Sequence, residues 1–470
     1  MKKKILIAIL CVAALLVGVL SGCTESLKQN PIETKYSDVV SSNGGMAVVY
    51  GDYLYFINGY AGQDVDNNFG HVVKGAIARV SLKEGKPDGK AQIIVPKNVY
   101  GTDTVYGGIY IVDHYIYYAS TNTDLDSEGK AKTAEMVIMR TKVDGTDTTK
   151  IAEFEDHTVV FKVEGKKLVY VRSNGIFSID LADKKFPVTT VEESIVSSAY
   201  LFGEGYIFYT VYNESNSADY ILKAYPLSGG ESKVLLDSKR LDSSEKTLYT
   251  LTLLSVTKEA DGKLNLFYTK TDNGINTPEA GIYSYAFDTA DFAFDKTKEI
   301  RITYNKNDTT NLAFKNFYKA GNYYLGLDTN RFDVFKADGT RETTTNREGE
   351  QVIASIDVGS AVTFFDIEKT DSELYLWYIN SNVVYKIKIF DIQNGVYSFV
   401  EANAIKVFSG AYDATYVTLE KIGSVICYFN TNISNNAYYY EIPQDITTST
   451  DTASGKVLGL ITETDIIAAF

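Results

Sequence analysis

Three histidines, three cysteines and one tryptophan are all that 470 residues offer for metal, thiol or indole chemistry. No His-Glu-x-x-His and no Cys-x-x-Cys spacing occurs, so the common zinc frameworks are excluded. A Gly-x-Ser-x-Gly elbow and a phosphate-cradling glycine loop are also missing, and no acyl-transfer nucleophile or nucleotide site can be read from motif. Basic residues are the minority, 46 against 60 acidic, for a net charge of −14. That sign disfavours nucleic acid and anionic head groups as partners. Amphipathic helical periodicity is almost absent. After residue 20 no apolar run approaches the length that spans a bilayer.

The N-terminus carries the densest signal. Lys2, Lys3 and Lys4 precede an apolar run from Ile5 to Leu20, followed by Leu20-Ser21-Gly22-Cys23. A cationic head, a hydrophobic stretch and small residues before a break describe a secretory signal. Cysteine directly after Leu-Ser-Gly resembles the lipobox of bacterial lipoproteins. That resemblance implies cleavage between Gly22 and Cys23, a diacylglycerol group on Cys23 and an acyl chain such as palmitate on the new amino group. The competing reading is an uncleaved signal anchor, since the run nearly reaches spanning length. Each buried methylene contributes about 0.8 kcal/mol, so two or three chains hold firmly where one is marginal. The expected layout is a signal peptide over 1–22, a lipidated Cys23 and flexible tether over 23–42, and one domain over 43–470. It places the protein on the extracytoplasmic face of the cell membrane.

Cysteine and charge agree with export. Cys11 leaves with the leader and Cys23 is lipidated, which leaves Cys427 alone in Val425-Ile426-Cys427-Tyr428. With no disulfide open to it, the exported domain needs a real hydrophobic core. Cys427 reads as a buried small hydrophobe. Without the leader lysines the mature chain holds 43 basic and 60 acidic residues, a net −17.

A repeat organises the remainder. A Gly or Asp turn leads into an alternating aliphatic and aromatic strand at Gly51-Asp52-Tyr53-Leu54-Tyr55-Phe56 and again at Asp113-His114-Tyr115-Ile116-Tyr117-Tyr118. Further copies begin at Gly165, Gly205, Gly262, Gly321, Asp371 and Gly423. Seven intervals from Gly51 to Gly423 give a period of about 53 residues, close to a four-stranded propeller blade. In the second unit, strands are predicted over Gly107–Asp113, Tyr115–Ser120, Met136–Val143 and Lys150–Phe154, the last two joined by Val143-Asp144-Gly145-Thr146. The 36 tyrosines and 23 phenylalanines suit half-buried pleated surfaces. The fold class is therefore all-β, a single β-propeller of four-stranded blades, with eight blades expected and seven as the alternative.

Ile116-Tyr117-Tyr118, Val137-Ile138-Met139-Arg140 and Val143-Asp144-Gly145-Thr146 together resemble a blade of the YWTD-type and TolB-like propellers. Lipobox-bearing proteins of this kind are mostly of unknown function. The four-letter signature itself is missing, with Tyr268-Thr269-Lys270-Thr271-Asp272 the nearest approach. Sialidase-like propellers carry Ser-x-Asp-x-Gly-x-x-Trp boxes, which a chain whose only tryptophan is Trp377 does not support.

One acidic loop suggests a cation. Asp124, Asp126 and Glu128 alternate, Gly129 follows, and Glu135 is the twelfth position counted from Asp124. This spacing resembles a calcium-binding EF-hand loop, although Lys132 stands where an oxygen is usual and no flanking helices are predicted. A solvated acidic hairpin tip has the same composition, so calcium is a candidate cofactor and no more. Asp64-Val65-Asp66-Asn67-Asn68 is a weaker candidate, with Phe69 in place of the turn glycine. His71, His114 and His157 read as turn and loop residues. Anchor, tether, repeat and missing catalytic motifs together imply a monomeric binding or scaffolding module for a protein, peptide or glycan. The rivals are an extracytoplasmic carbohydrate-active enzyme with carboxylates at the propeller channel, and a substrate-capturing lipoprotein, which would show alternating strands and helices.

Overall fold

The computed structural model describes residues 40–457 apart from 59–74, 98, 100–106, 131–135, 156–158, 174, 197–198, 214–215, 238–248, 260, 273–280, 291, 293–294, 303–313, 315, 329–330, 346–347, 359–361, 371–372, 382, 392–394, 397–400, 410–416, 431–437 and 443–455. Every copy of the sequence repeat becomes the second strand of a separate sheet. These are Tyr53–Ile57, Tyr115–Thr121, Lys167–Arg172, Tyr206–Asn213, Leu264–Asp272, Tyr323–Leu327, Glu373–Asn380 and Val425–Asn430. The turn residue before each lets the chain reverse from a first strand, and the sheet then runs outward through strands consecutive in sequence, except in blade six, where the hairpin of Thr343–Thr345 and Gln351–Ile353 intervenes before the fourth strand. Blades one to eight cover 47–95, 109–154, 160–192, 200–237, 249–302, 316–357, 363–409 and 417–457. Seven of these sheets are complete blades. The eighth is narrower, with an outermost strand of two residues, Lys456–Val457. The molecule is thus an all-β propeller of four-stranded blades, and its repeat count of eight resolves into seven full blades and this last short sheet.

In blade two the strands fall at Ile109–Val112, Tyr115–Thr121, Met136–Lys142 and Thr149–Phe154, within a few residues of the sequence expectation. The Asp144-Gly145-Thr146 turn closes as expected, because the Asp144 carboxylate accepts from the Thr146 amide at 2.9 Å and its hydroxyl at 2.6 Å. Asp338-Gly339-Thr340 repeats that geometry at 2.9 and 2.6 Å.

First strands of neighbouring blades touch around an axis: two with three, four with five, five with six, seven with eight, and eight with one. Second strands are largely buried on both faces, which explains why their sequences are rich in consecutive apolar and aromatic residues. In blade four, Ile207, Tyr209 and Val211 pack toward blade three while Phe208 packs toward blade five. Each such side chain contributes about 1.5–3 kcal/mol on burial.

An unexpected strand, Val40–Gly45, pairs with Ile109–Val112 on the side facing away from the rest of blade two. It therefore lies closer to the axis than any blade and also touches the first strands of blades one and three. The stretch read as tether through residue 42 gives up Val40, Ser41 and Ser42 to this strand. The ladder to Val112 and Ile111 and a 2.5 Å bond from the Ser42 hydroxyl to the Ile109 carbonyl hold them. The Asn43 amide donates to the Val163 carbonyl at 3.0 Å and accepts from the Val163 amide at 3.1 Å, so one side chain imitates a strand partner. Glycine is obligatory where the axial strand passes Gly108, because a Cβ there would sit 2.1 Å from the Gly44 carbonyl oxygen. Val40 lies opposite Val112, next to the turn between the first two strands of blade two. The chain thus enters the axis from the end of the ring that carries those tight turns.

Candidate functional site

At the opposite end, blades three and four enclose a cavity of about 600 Å³, a size suited to a small ligand. Thr190 to Ser194 line it from the end of blade three, and Val211, Tyr212, Ile221 and Lys223 from blade four. A bulge leaves Val191 unpaired between Thr190 and Glu192, which face Phe177 and Ile176. Val191, Val211 and Ile221 belong to the apolar layer between the two blades. Tyr212 is 56% exposed at the rim.

Across this apolar layer Glu192 Oε2 meets Lys223 Nζ at 2.8 Å. The Tyr209 hydroxyl lies 3.5 Å from the same oxygen and 2.7 Å from Ser232 Oγ. Burial pushes that hydroxyl up, so it stays a neutral donor through the physiological range. Both partners of the ion pair keep about a fifth of their surface in solvent. A pair this exposed is worth about 0–1 kcal/mol to folding. Its chemistry is therefore available to a ligand at little cost to the ring. The sequence gives no hint of this site, because Glu192 and Lys223 lie in different blades and neither sits in a distinctive motif.

The residues singled out from sequence are not brought together with it. Gly22 and Cys23, the second acidic loop 64–68, His71, His157 and Glu135 lie outside the described residues. Asp124 pairs with Lys150 at 2.7 Å and Glu128 with Lys130 at 3.2 Å. Asp126 Oδ1 accepts from the amides of Glu128 and Lys130 at 2.8 and 2.9 Å. Among the described residues no group of three or more His, Cys, Asp or Glu is gathered as metal ligands. His114 closes a turn with Nδ1 2.9 Å from the Asp113 carboxylate. Cys427 is fully buried in the core of blade one, and burial pushes its thiol up.

Two carboxylates on first strands are engaged. Glu420, on the first strand of blade eight, accepts from the amides of Met46 at 2.6 Å and Ala47 at 3.0 Å. Burial raises its carboxyl and these two amides hold it back. Glu368, on the first strand of blade seven, is bonded by Trp377 Nε1 at 2.8 Å, Lys421 at 3.0 Å and Lys386 at 3.2 Å. No helix among the described residues is long and apolar enough to cross a membrane.

The strand order and the axis together define a β-propeller with a ligand-sized cavity at one end. Solved structures similar to the chain include a eukaryotic initiation factor, at TM-score 0.43 and 9% identity over 91% of this chain and 89% of that one. They also include virginiamycin B lyase from Staphylococcus aureus, at TM-score 0.31 and 11% identity over 70% and 92%. A prolyl endopeptidase is similar at TM-score 0.38 and 10% identity over 84% of this chain and 55% of the other. No family model matches the sequence, and no curated protein matches it.

Proposed function

We propose that this protein is an extracytoplasmic binding module, held to the membrane by lipid on Cys23, whose propeller engages a protein, peptide or glycan at the end remote from the bilayer. The observation that carries this reading is the axial strand. Val40 enters the ring at the end where tight turns join first to second strands, so a tether from Cys23 would bring that end to the membrane. The cavity between blades three and four opens at the far end, facing outward. The axis-side carboxylates Glu420 and Glu368 are occupied by backbone amides and lysines, which weighs against a channel-centred hydrolase.

The test has two arms. Radiolabelled palmitate should enter the wild-type chain, and Cys23→Ala should move it from the membrane to the soluble fraction. A fluorophore on a cysteine replacing Asp261, in a turn between first and second strands, should be quenched by a lipid-borne quencher, while one replacing Ser194 should not. A Cys23→Ala chain that stays with the membrane would overturn the anchoring. Stronger quenching at Ser194 than at Asp261 would overturn the orientation.

A further inference from the structure

We infer that the cavity between blades three and four binds a neutral saccharide through two adjacent hydroxyls, recognised by Glu192 and Lys223. This rests on the reading of the ring as a binding module and names the ligand class of one of its sites. Charge comes first. Glu192 and Lys223 cancel, leaving Glu193 as the one further ionised group in the lining. A site of that balance selects neither a polyanion nor a strongly cationic ligand.

Geometry then narrows the class. The ammonium and carboxylate lie 2.8 Å apart, a spacing close to that of neighbouring hydroxyl oxygens on a pyranose ring. Lys223 and Tyr209 both engage Glu192 Oε2, which leaves Oε1 without a partner among the described residues. Lys223 donates in that one contact and has further N–H groups to give. One hydroxyl can therefore donate to Oε1 while its neighbour accepts from Nζ, and both hydrogen bonds are charge-assisted. A lone amine or carboxylate would use only half of this donor and acceptor pair. Val191 and Ile221, half-buried in the lining, supply the apolar surface that the C–H face of a sugar covers.

The experiment uses the full chain without its leader, screened on an array of neutral oligosaccharides, with retained sugars titrated by calorimetry. The expected result is retention of at least one neutral sugar, weakened tenfold or more by Glu192→Gln and by Lys223→Met. Asp261→Asn, in a turn at the other end, should bind as wild type. Periodate, which cleaves the bond between adjacent hydroxyl-bearing carbons, should abolish binding of the same sugar. Melting curves confirm that each variant is folded, and either variant suffices if the other is not. A blank array, binding that neither variant weakens, or binding that survives periodate would overturn the inference. Capture of a peptide with no dependence on adjacent hydroxyls would overturn it as well. A blank array from a chain that Cys23 still anchors removes the sugar site alone, whereas sugar binding by a chain that never joins the membrane removes the anchoring alone.

Discussion

The seam between blades seven and eight should weaken in acid through one carboxylate, and Glu368→Gln isolates that effect. Burial alone would raise the Glu368 carboxyl, but hydrogen bonds from Trp377, Lys421 and Lys386 outweigh it and hold it at about 2 instead of an ordinary 4.5. Lys421 also stands 4.9 Å over the Trp377 ring, and Lys386 lies 4.2 Å over Tyr375. A depression of that size corresponds to about 3 kcal/mol for a fully shielded group. The Glu368 side chain is 29% exposed, so screening reduces this to about 1–2 kcal/mol. Because the folded value is the lower one, the stabilisation is complete above about 4.5 and is lost as pH falls toward 2. Glutamine cannot titrate. The wild type should therefore exceed Glu368→Gln by about 1–2 kcal/mol in urea unfolding at pH 7, hold that lead to about pH 4.5, and lose most of it by pH 2.5. Equal differences at pH 7 and pH 2.5 would refute the charge argument and leave only shape.

Three other outcomes follow from packing. Gly108→Ala would drive a methyl into the Gly44 carbonyl, so hydrogen exchange over 40–45 should rise sharply while the blades stay protected; unchanged protection would mean the axial strand is not wedged there. Lys270 and Glu299 form a buried pair in blade five, 2% and 5% exposed. Lys270→Met alone should cost about 3–5 kcal/mol in urea, and combining it with Glu299→Leu should recover most of that loss. Native Cys427 should resist a thiol-reactive dye in buffer and react fully in urea, since the thiol is buried and held protonated.

The repeat was legible because a blade's second strand is buried on both sides. Tyr53–Ile57 and Glu373–Asn380 could be found from their aromatic density alone. Turns were legible where a side chain closes them, as in Asp144-Gly145-Thr146. The axial strand was not. Val-Ser-Ser-Asn-Gly-Gly looks like linker, because its ordering comes from Val163, Ile109 and the bare Gly108 rather than from its own propensity. The cavity stayed hidden for a related reason. Glu192 and Lys223 become neighbours only when two blades dock, and a strand sequence records its own faces but not the opposite wall. The acidic loop shows the same limit. Folding brings Asp124 a partner, Lys150 from the fourth strand of its blade, that the loop's own sequence does not record, while Glu128 meets Lys130 two residues on.

Ring closure gives the axial strand its mechanical meaning. Blade one is built from N-terminal strands and blade eight from C-terminal ones, so among the described residues no strand is exchanged across their junction. Joining the ends of a chain this long costs roughly 5 kcal/mol in loop entropy. Val425, Cys427 and Tyr439 offset it by burying themselves in the core of blade one, each worth about 1–3 kcal/mol. Lys86 pairs with Glu441 at 2.5 Å, and the Ser424 hydroxyl donates to the Gly85 carbonyl at 3.2 Å. The stretch 42–47 adds a second closure of another kind. It bonds blade two through Ser42, blade three through Asn43 and blade eight through the Met46 and Ala47 amides, and then continues into blade one. Four blades thus share one short segment. In an anchored molecule the same segment would be the first to carry load from the tether, so tension would reach the Val40 pairing with Val112 of blade two before the Asn43 and Glu420 contacts farther along.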